Sequence, residues 1–130
     1  MATEITVKLE NRPGTLAKMG HVLGDAKINI EAIQLVAHDN YGRVQIVVDD
    51  PEQALRVLMA AGLPVESRQV LVVNVLNEPG GLGDVAMVMA DAGINIDATY
   101  VTIDGKVVMG VDDLDGAIQV AAGMAVMTYR

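Results

Sequence analysis

The chain contains much of its own first half a second time, and this repetition limits the folds open to it more than any other feature. Shifted by 66 residues, the segment Val7 to Ala32 falls on Val73 to Ala98. Asn11 meets Asn77, Pro13 meets Pro79, Gly14 meets Gly80 and Leu16 meets Leu82. Ile28-Asn29-Ile30 meets Ile94-Asn95-Ile96, and Ala32 meets Ala98. From residue 4 to residue 36 the register holds 12 identities in 33 positions without a gap. Farther on the offset drops to 63, pairing Gly42 with Gly105, Val44 with Val107 and Asp49-Asp50 with Asp112-Asp113. Three residues are lost where a loop belongs. One supersecondary unit of about 65 residues has been duplicated, which places the copies at 1–68 and 69–130.

Within the first copy, Ile5, Val7 and Leu9 alternate with Thr6, Lys8 and Glu10, the period of a strand with one wet face. Asn11-Arg12-Pro13-Gly14 follows, then Leu16, Met19, Leu23 and Ala26 at the spacing of an amphipathic helix starting at Pro13. A second strand is predicted from Ile28 to Ala37, a turn at Asp39 to Gly42, and a third strand from Val44 to Val48. Asp50-Pro51-Glu52-Gln53 has the N-cap, the first-turn proline and the capping-box glutamine of a helix start. Ala54, Leu55, Leu58 and Ala61 supply its buried stripe, Gly62 ends it, and a short polar strand near Val65 completes βαββαβ.

The second copy repeats the order. Strands are predicted at Val70–Leu76, Ile94–Ile103 and Lys106–Val111, and helices at Pro79–Ala92 and Leu114–Ala122. Asp104-Gly105 reads as a two-residue hairpin turn. A last strand, Ala125–Tyr129, could complete either its own sheet or that of the first copy. The fold class is therefore α+β: two ferredoxin-like repeats with antiparallel sheets, each carrying its helices on one face, packed side by side. A lone unit of this size buries only about 60% of its unfolded surface, so the copies are expected to support one another.

Composition narrows the function. Formal charge is −8, from nine Lys and Arg against 17 Asp and Glu, and aromatic content is 2%. Nucleic acid is thus an unsuitable partner, lacking both a cationic field and stacking platforms. Zero cysteines exclude disulfides, thiolate metal sites and thiol nucleophiles. No apolar run nears the length of a membrane span, and Met1-Ala2-Thr3-Glu4 leads directly into strand-like sequence, so a cytoplasmic protein without membrane contact is expected.

The positions most alike between the copies are the loop after strand one and the start of strand two, which the ferredoxin-like order is expected to bring near each other. Arg12 and Glu78 are poor caps for helices starting at Pro13 and Pro79, so the first-turn amides are open to an external anion such as a carboxylate. Gly81 and Gly83 cost about 1 kcal/mol each inside a helix, which implies a close approach to this backbone. A plain strand-to-helix turn explains the same residues equally well. His21 and His38 lack a partner at metal-ligand spacing. The acidic groups Asp49, Asp50 and Glu52, and Asp112, Asp113 and Asp115, complement helix N-termini. Met87 to Met89 reads as core filling. Ser67 is the only serine, and no nucleophile–base–orienter set exists. No catalytic residue, metal site or cofactor is indicated.

The strand followed by Glu10-Asn11-Arg12-Pro13-Gly14-Thr15-Leu16, a helix and Ile28-Asn29-Ile30-Glu31-Ala32-Ile33 resembles an ACT domain. Asn77-Glu78-Pro79-Gly80-Gly81-Leu82, followed by Gly93-Ile94-Asn95-Ile96-Asp97-Ala98, resembles a second. The resemblance implies a small-molecule sensor, usually for amino acids, whose ligand sits where two such domains pair through their sheets. It implies ligand contacts from Asn11, Arg12, Pro13, Gly14, Asn29 and Ile30 in the first copy. In the second it implies Asn77, Glu78, Pro79, Gly80, Gly81, Leu82, Asn95 and Ile96. The partners that follow are an amino acid, a second copy in a homodimer, and a regulated enzyme. The chain is similar to free-standing tandem ACT proteins, to the regulatory tails of aspartate kinases and to the small subunit of acetolactate synthase; from these comes the alternative of a subunit acting by protein contact alone. Arg12 against Glu78, Thr15 against Gly81 and Gln34 against Tyr100 imply that two pockets would not be equivalent.

Overall fold

The computed structural model describes residues 2–124. The predicted strand at Ala125–Tyr129, and with it the question of which sheet it completes, lies outside those residues. The chain divides into two compact units between Arg68 and Gln69.

In the N-terminal unit the order is β1 (Ala2–Glu10), α1 (Thr15–Asp25), β2 (Ile30–His38), β3 (Tyr41–Val48), α2 (Pro51–Ala60) and the beginning of β4 (Val65–Val73). Its strands lie in the order β2-β3-β1-β4, the ferredoxin-like arrangement. β3 is antiparallel to both β1 and β2, with Glu10 opposite Tyr41, Glu4 opposite Val47, and Ile30 opposite Val48. The alternation read from β1 holds. Ile5, Val7 and Leu9 are buried with Val44 and Ile46 of β3, with Met19 and Leu23 of α1, and with Ala54 and Leu58 of α2. Both helices therefore cover one face of the sheet. On the other face Glu4 is buried; its Oε1 accepts from Arg68 Nε at 3.0 Å and from Gln45 Nε2 at 3.2 Å.

The C-terminal unit holds the rest of β4, then α3 (Gly81–Asp91), β5 (Ile96–Val101), β6 (Val107–Val111) and α4 (Leu114–Ala122). Antiparallel β6 lies between β4 and β5. Leu71, Val73 and Met109 form its core with Val85, Met89, Ala117 and Ala121. Met89 is fully buried but Met87 is 61% exposed, so only part of that methionine stretch fills the core.

Several local expectations are corrected. The polar segment after Val65 and the apolar one from Val70 form a single strand, which stops at Val73 rather than Leu76. The first hairpin turns on two residues, Asp39 and Asn40, with Asp39 left-handed at φ 52°. The second needs three: Thr102 N–H donates to Lys106 O at 2.8 Å, and Gly105 is left-handed at φ 87°. The acidic groups also divide their work. Asp50 and Asp113 cap α2 and α4, accepting from Gln53 N at 3.2 Å and Gly116 N at 3.0 Å. Asp49 and Asp112 act elsewhere, at the starts of β2 and β5.

Helices α1, α2 and α3 end alike, each with a left-handed residue after the C-cap: Lys27 at φ 62°, Gly62 at φ 79° and Gly93 at φ 75°. In each case the next residue closes the six-residue bond of a Schellman motif, as when Ile28 N–H donates to Leu23 O at 3.0 Å and Ile94 N–H to Met89 O at 3.0 Å. Lys27 occupies this position without glycine's freedom. Relief of the left-handed strain is worth about 1–2 kcal/mol, and the added freedom of the unfolded chain removes part of it. Lys27→Gly is expected to raise stability by about 0.5–1 kcal/mol, read as a higher denaturant midpoint at unchanged slope. Gly93→Ala is expected to lower it.

Candidate functional site

The loop after β1 is built by the backbone's need for partners. Asn11 N–H donates to Asn40 O at 2.9 Å and its Nδ2 to Asp39 O at 2.9 Å, which ties the loop to the β2–β3 turn. Asn11 is therefore a brace and not a helix cap. Helix α1 begins at Thr15, two residues later than the Pro13 start expected from sequence. Its N-cap is Gly14 at φ 92°, and that of α3 is Gly80 at φ 87°, so both positions require a residue tolerant of the left-handed region. Neither helix receives a side-chain cap, so the open first turn read from sequence is present in both.

Thr15 and Gly81 solve the same packing problem differently. Thr15 Oγ1 lies 2.7 Å from Glu10 O and 3.0 Å from Arg12 O, and its single proton serves one of them at a time. At the matching place in the second repeat, a Cβ on Gly81 would fall 2.1 Å from Leu76 O. The close approach inferred for this glycine is thus made by the chain's own carbonyl. Gly83 has no atom within 4 Å of the Cβ position, so crowding does not account for it.

A cleft of about 470 Å³ opens beside the first loop. Lys8, Glu10, Arg12, Thr15 and Lys18 form one wall, and Ala61 to Pro64, joining α2 to β4, form the other, with Tyr41 at the end. The Lys8 ammonium lies 3.8 Å from the centre of the Tyr41 ring. Arg12 Nε pairs with Glu10 on the exposed rim, and that hydrogen bond, reinforced by the guanidinium charge, lowers the Glu10 pKa. A second cleft, of about 450 Å³, lies beside the equivalent loop of the C-terminal unit, with residues of β5 and Gly105 in its wall where the first has Ala61 to Pro64. Its lining includes Leu76, Asn77, Glu78, Leu82 and Tyr100.

Of the residues singled out by sequence, Arg12, Asn77, Glu78 and Leu82 line these clefts. Asn11, Pro13, Gly14, Pro79, Gly80 and Gly81 shape the loops behind them. Asn29, Ile30, Asn95 and Ile96 lie elsewhere. Glu10 and His38 are both opposite or next to Tyr41 at one end of β3, whereas Ile30 is opposite Val48 at the other, seven residues or about 23 Å away. The expected proximity of the two regions fails because α1 runs back along β1 and delivers the chain to the far end. There Asn29 N–H donates to Asp49 Oδ1 at 3.0 Å and Asn29 O accepts from Asp49 N–H at 3.2 Å. Asn95 and Asp112 repeat both bonds at 3.0 and 3.2 Å. These asparagines use their backbone groups to close the fold.

Sequence reasoning missed Lys8, Lys18, Tyr41 and the Ala61–Pro64 wall. Lys8 and Lys18 sit on the wet faces of β1 and α1 close to the loop, a signal that was available. The wall, some 50 residues downstream, had none.

Because the Gly81 Cβ position is occupied by a backbone carbonyl, Gly81→Ala is expected to destabilise the protein by about 2–3 kcal/mol. Gly83→Ala, in open space within a helix, is expected to stabilise it by up to about 1 kcal/mol. Equal effects of the two changes in urea unfolding would contradict this packing.

Comparison with known proteins adds the following. A family model described as an ACT domain pair matches residues 1–122. The fold is similar to the crystal structure of protein BT0572 from Bacteroides thetaiotaomicron, with a TM-score of 0.90 and 25% identity over 98% of this chain and 92% of that one. It is also similar to the ligand-free regulatory subunit of aspartate kinase from Thermus thermophilus, with a TM-score of 0.69 and 17% identity over 91% and 88% of the two chains. Aspartate kinase from Synechocystis gives a TM-score of 0.68 at 20% identity; the match covers 92% of this chain but 24% of the kinase. No curated protein matches in sequence. With two βαββ-type units in tandem and a pair model spanning nearly its whole length, the chain belongs to the ACT domain pair family.

Proposed function

We propose that this ACT domain pair, with repeats at 1–68 and 69–130, is a regulatory protein that binds a small molecule, an amino acid, and has no catalytic activity of its own. The observation that carries this reading is the pair of clefts of about 470 and 450 Å³, each beside the loop that leads into its unit's first helix. Such volumes suit a ligand of this size, the lower part of the range for small-molecule sites. Uncapped helix starts at Gly14 and Gly80 suit a carboxylate, and Glu10 or Glu78 suits an ammonium. The regulatory subunits and kinases named among the structural relatives support a regulatory role.

The distance between the loop and the start of β2 bears on how such a ligand would be held. A ligand touching both Arg12 and Asn29 requires a second copy of the chain to bring its strand start to this loop. A homodimer is the assembly that does so, and a ligand there would favour one arrangement over another, which is what a switch requires. No helix among the described residues is long and apolar enough to cross a membrane, which accords with the cytoplasmic setting we propose.

A second reading has its own observation. Ile33, Leu35 and Val36 on β2, and Val101 and Ile103 at the end of β5, are exposed. β2 is an edge strand, and apolar edges invite a partner. A subunit that regulates an enzyme by contact alone would use such surfaces and need no ligand.

A thermal-shift screen of the full chain against the twenty amino acids separates the two. A ligand at 100 times its Kd stabilises the folded state by about 2.7 kcal/mol, which raises Tm by several degrees. A rise with one amino acid or a related group is the expected result. An unchanged Tm with all twenty would remove the sensor reading and leave the contact-only subunit.

A further inference from the structure

Resting on the ligand-binding reading above, we propose that the two repeats have diverged in the charge they accept: the cleft beside Arg12 takes a small dicarboxylate of the acidic amino acid class, and the cleft beside Glu78 does not.

The chain has nine lysines and arginines and a formal charge of −8. Four of the nine, Lys8, Arg12, Lys18 and Arg43, line two hollows that share Lys8, Tyr41 and Pro64 as a common wall. The carboxylates there are Glu10 and Glu66, which leaves two net positive charges in a strongly acidic protein. At the positions 66 residues on, Lys8 is replaced by Asn74, Arg12 by Glu78 and Lys18 by Asp84. The second cleft is lined by Glu78 and, among the described residues, by no Lys or Arg. Related loops thus surround clefts of opposite charge, and a single ligand cannot suit both.

The chemistry of the first cleft is specific beyond its sign. Arg12 meets Glu10 through Nε, so its two terminal nitrogens remain in position to grip a carboxylate side by side. Lys8, held over the Tyr41 ring, offers a second cation. Glu10, kept ionised by Arg12, can receive an ammonium. Cations for two carboxylates and one carboxylate for an ammonium match an acidic amino acid. A neutral amino acid would leave a cation unanswered, and a basic one would be repelled.

Calorimetric titration of the full chain with L-glutamate, L-aspartate, glutarate, leucine, lysine and inorganic phosphate tests this. At least one of the two acidic amino acids is expected to bind, more weakly as salt is raised because the cleft is open to solvent. Arg12→Glu with Lys18→Asp exchanges exposed residues for those of the second repeat, and is expected to weaken binding by about tenfold or more with an unchanged circular dichroism spectrum. Lys27→Gln, which removes a cation that lines neither cleft, is expected to leave it unchanged. Amide NMR shifts should cluster at Lys8, Arg12 and Lys18 and be absent at Asn77, Glu78 and Leu82.

Phosphate binding as tightly as the dicarboxylates would reduce the cleft to a general anion attractor and overturn the proposal. So would undiminished affinity in the double variant. Binding of leucine or lysine with none of glutamate or aspartate would overturn it while the sensor reading stands. Binding of no amino acid would remove both.

Discussion

Each unit depends on two helices returning along one face of its sheet. In the N-terminal unit Met19, Leu23, Ala54 and Leu58 are withdrawn from water against Ile5, Val7, Leu9, Val44 and Ile46. Each large side chain so buried contributes about 1.5–3 kcal/mol, and no other set of contacts in the unit has comparable scale. The arrangement also dictates where function can lie. A helix that packs back along β1 must deliver the chain to the opposite end of the sheet. The loop that precedes it and the strand that follows it are thereby set apart by the length of β3.

The features shared by the two repeats serve mainly to satisfy the backbone. Asp49 and Asp112 close the starts of β2 and β5; Asp50 and Asp113 cap helices; Gly14 and Gly80 supply a left-handed residue. Buried or half-buried main-chain groups need partners, so these solutions recur wherever the fold recurs. Identity between the copies at these positions therefore marks folding. Asn29 and Asn95 belong to the same group by their main-chain bonds. One difference lies at both clefts: Arg12 lines the first and Glu78 the second.

The loop geometry shows how one sequence change is absorbed. With threonine at position 15 the strand-to-helix loop opens enough for the hydroxyl to meet Glu10 O. With glycine at 81 the Leu76 carbonyl moves into the space a Cβ would need. The acidic residue Glu78 gives the second cleft its own charge.

Much of the fold was legible along the chain. Alternation in β1 and β3, the Asp50-Pro51 helix start and the 66-residue repeat are local or periodic signals, and local sterics and burial act on them without reference to distant residues. Boundaries were less legible. Val65 to Val73 reads as two strands because its composition changes from polar to apolar midway, while backbone pairing takes no account of that change. The clefts were legible only in part: Arg12, Glu78 and Tyr100 stood out as differences between copies, whereas Lys8, Lys18 and Tyr41 did not. By itself, the sequence determined that this chain carries a βαββα order twice, with one apolar face per sheet, because periodicity and burial are enough for that. Only the tertiary structure decided that Asn29 is remote from Arg12 and that Ala61 to Pro64 wall the first cleft. Those facts depend on the direction in which packed helices return the chain, and no single stretch of residues records it.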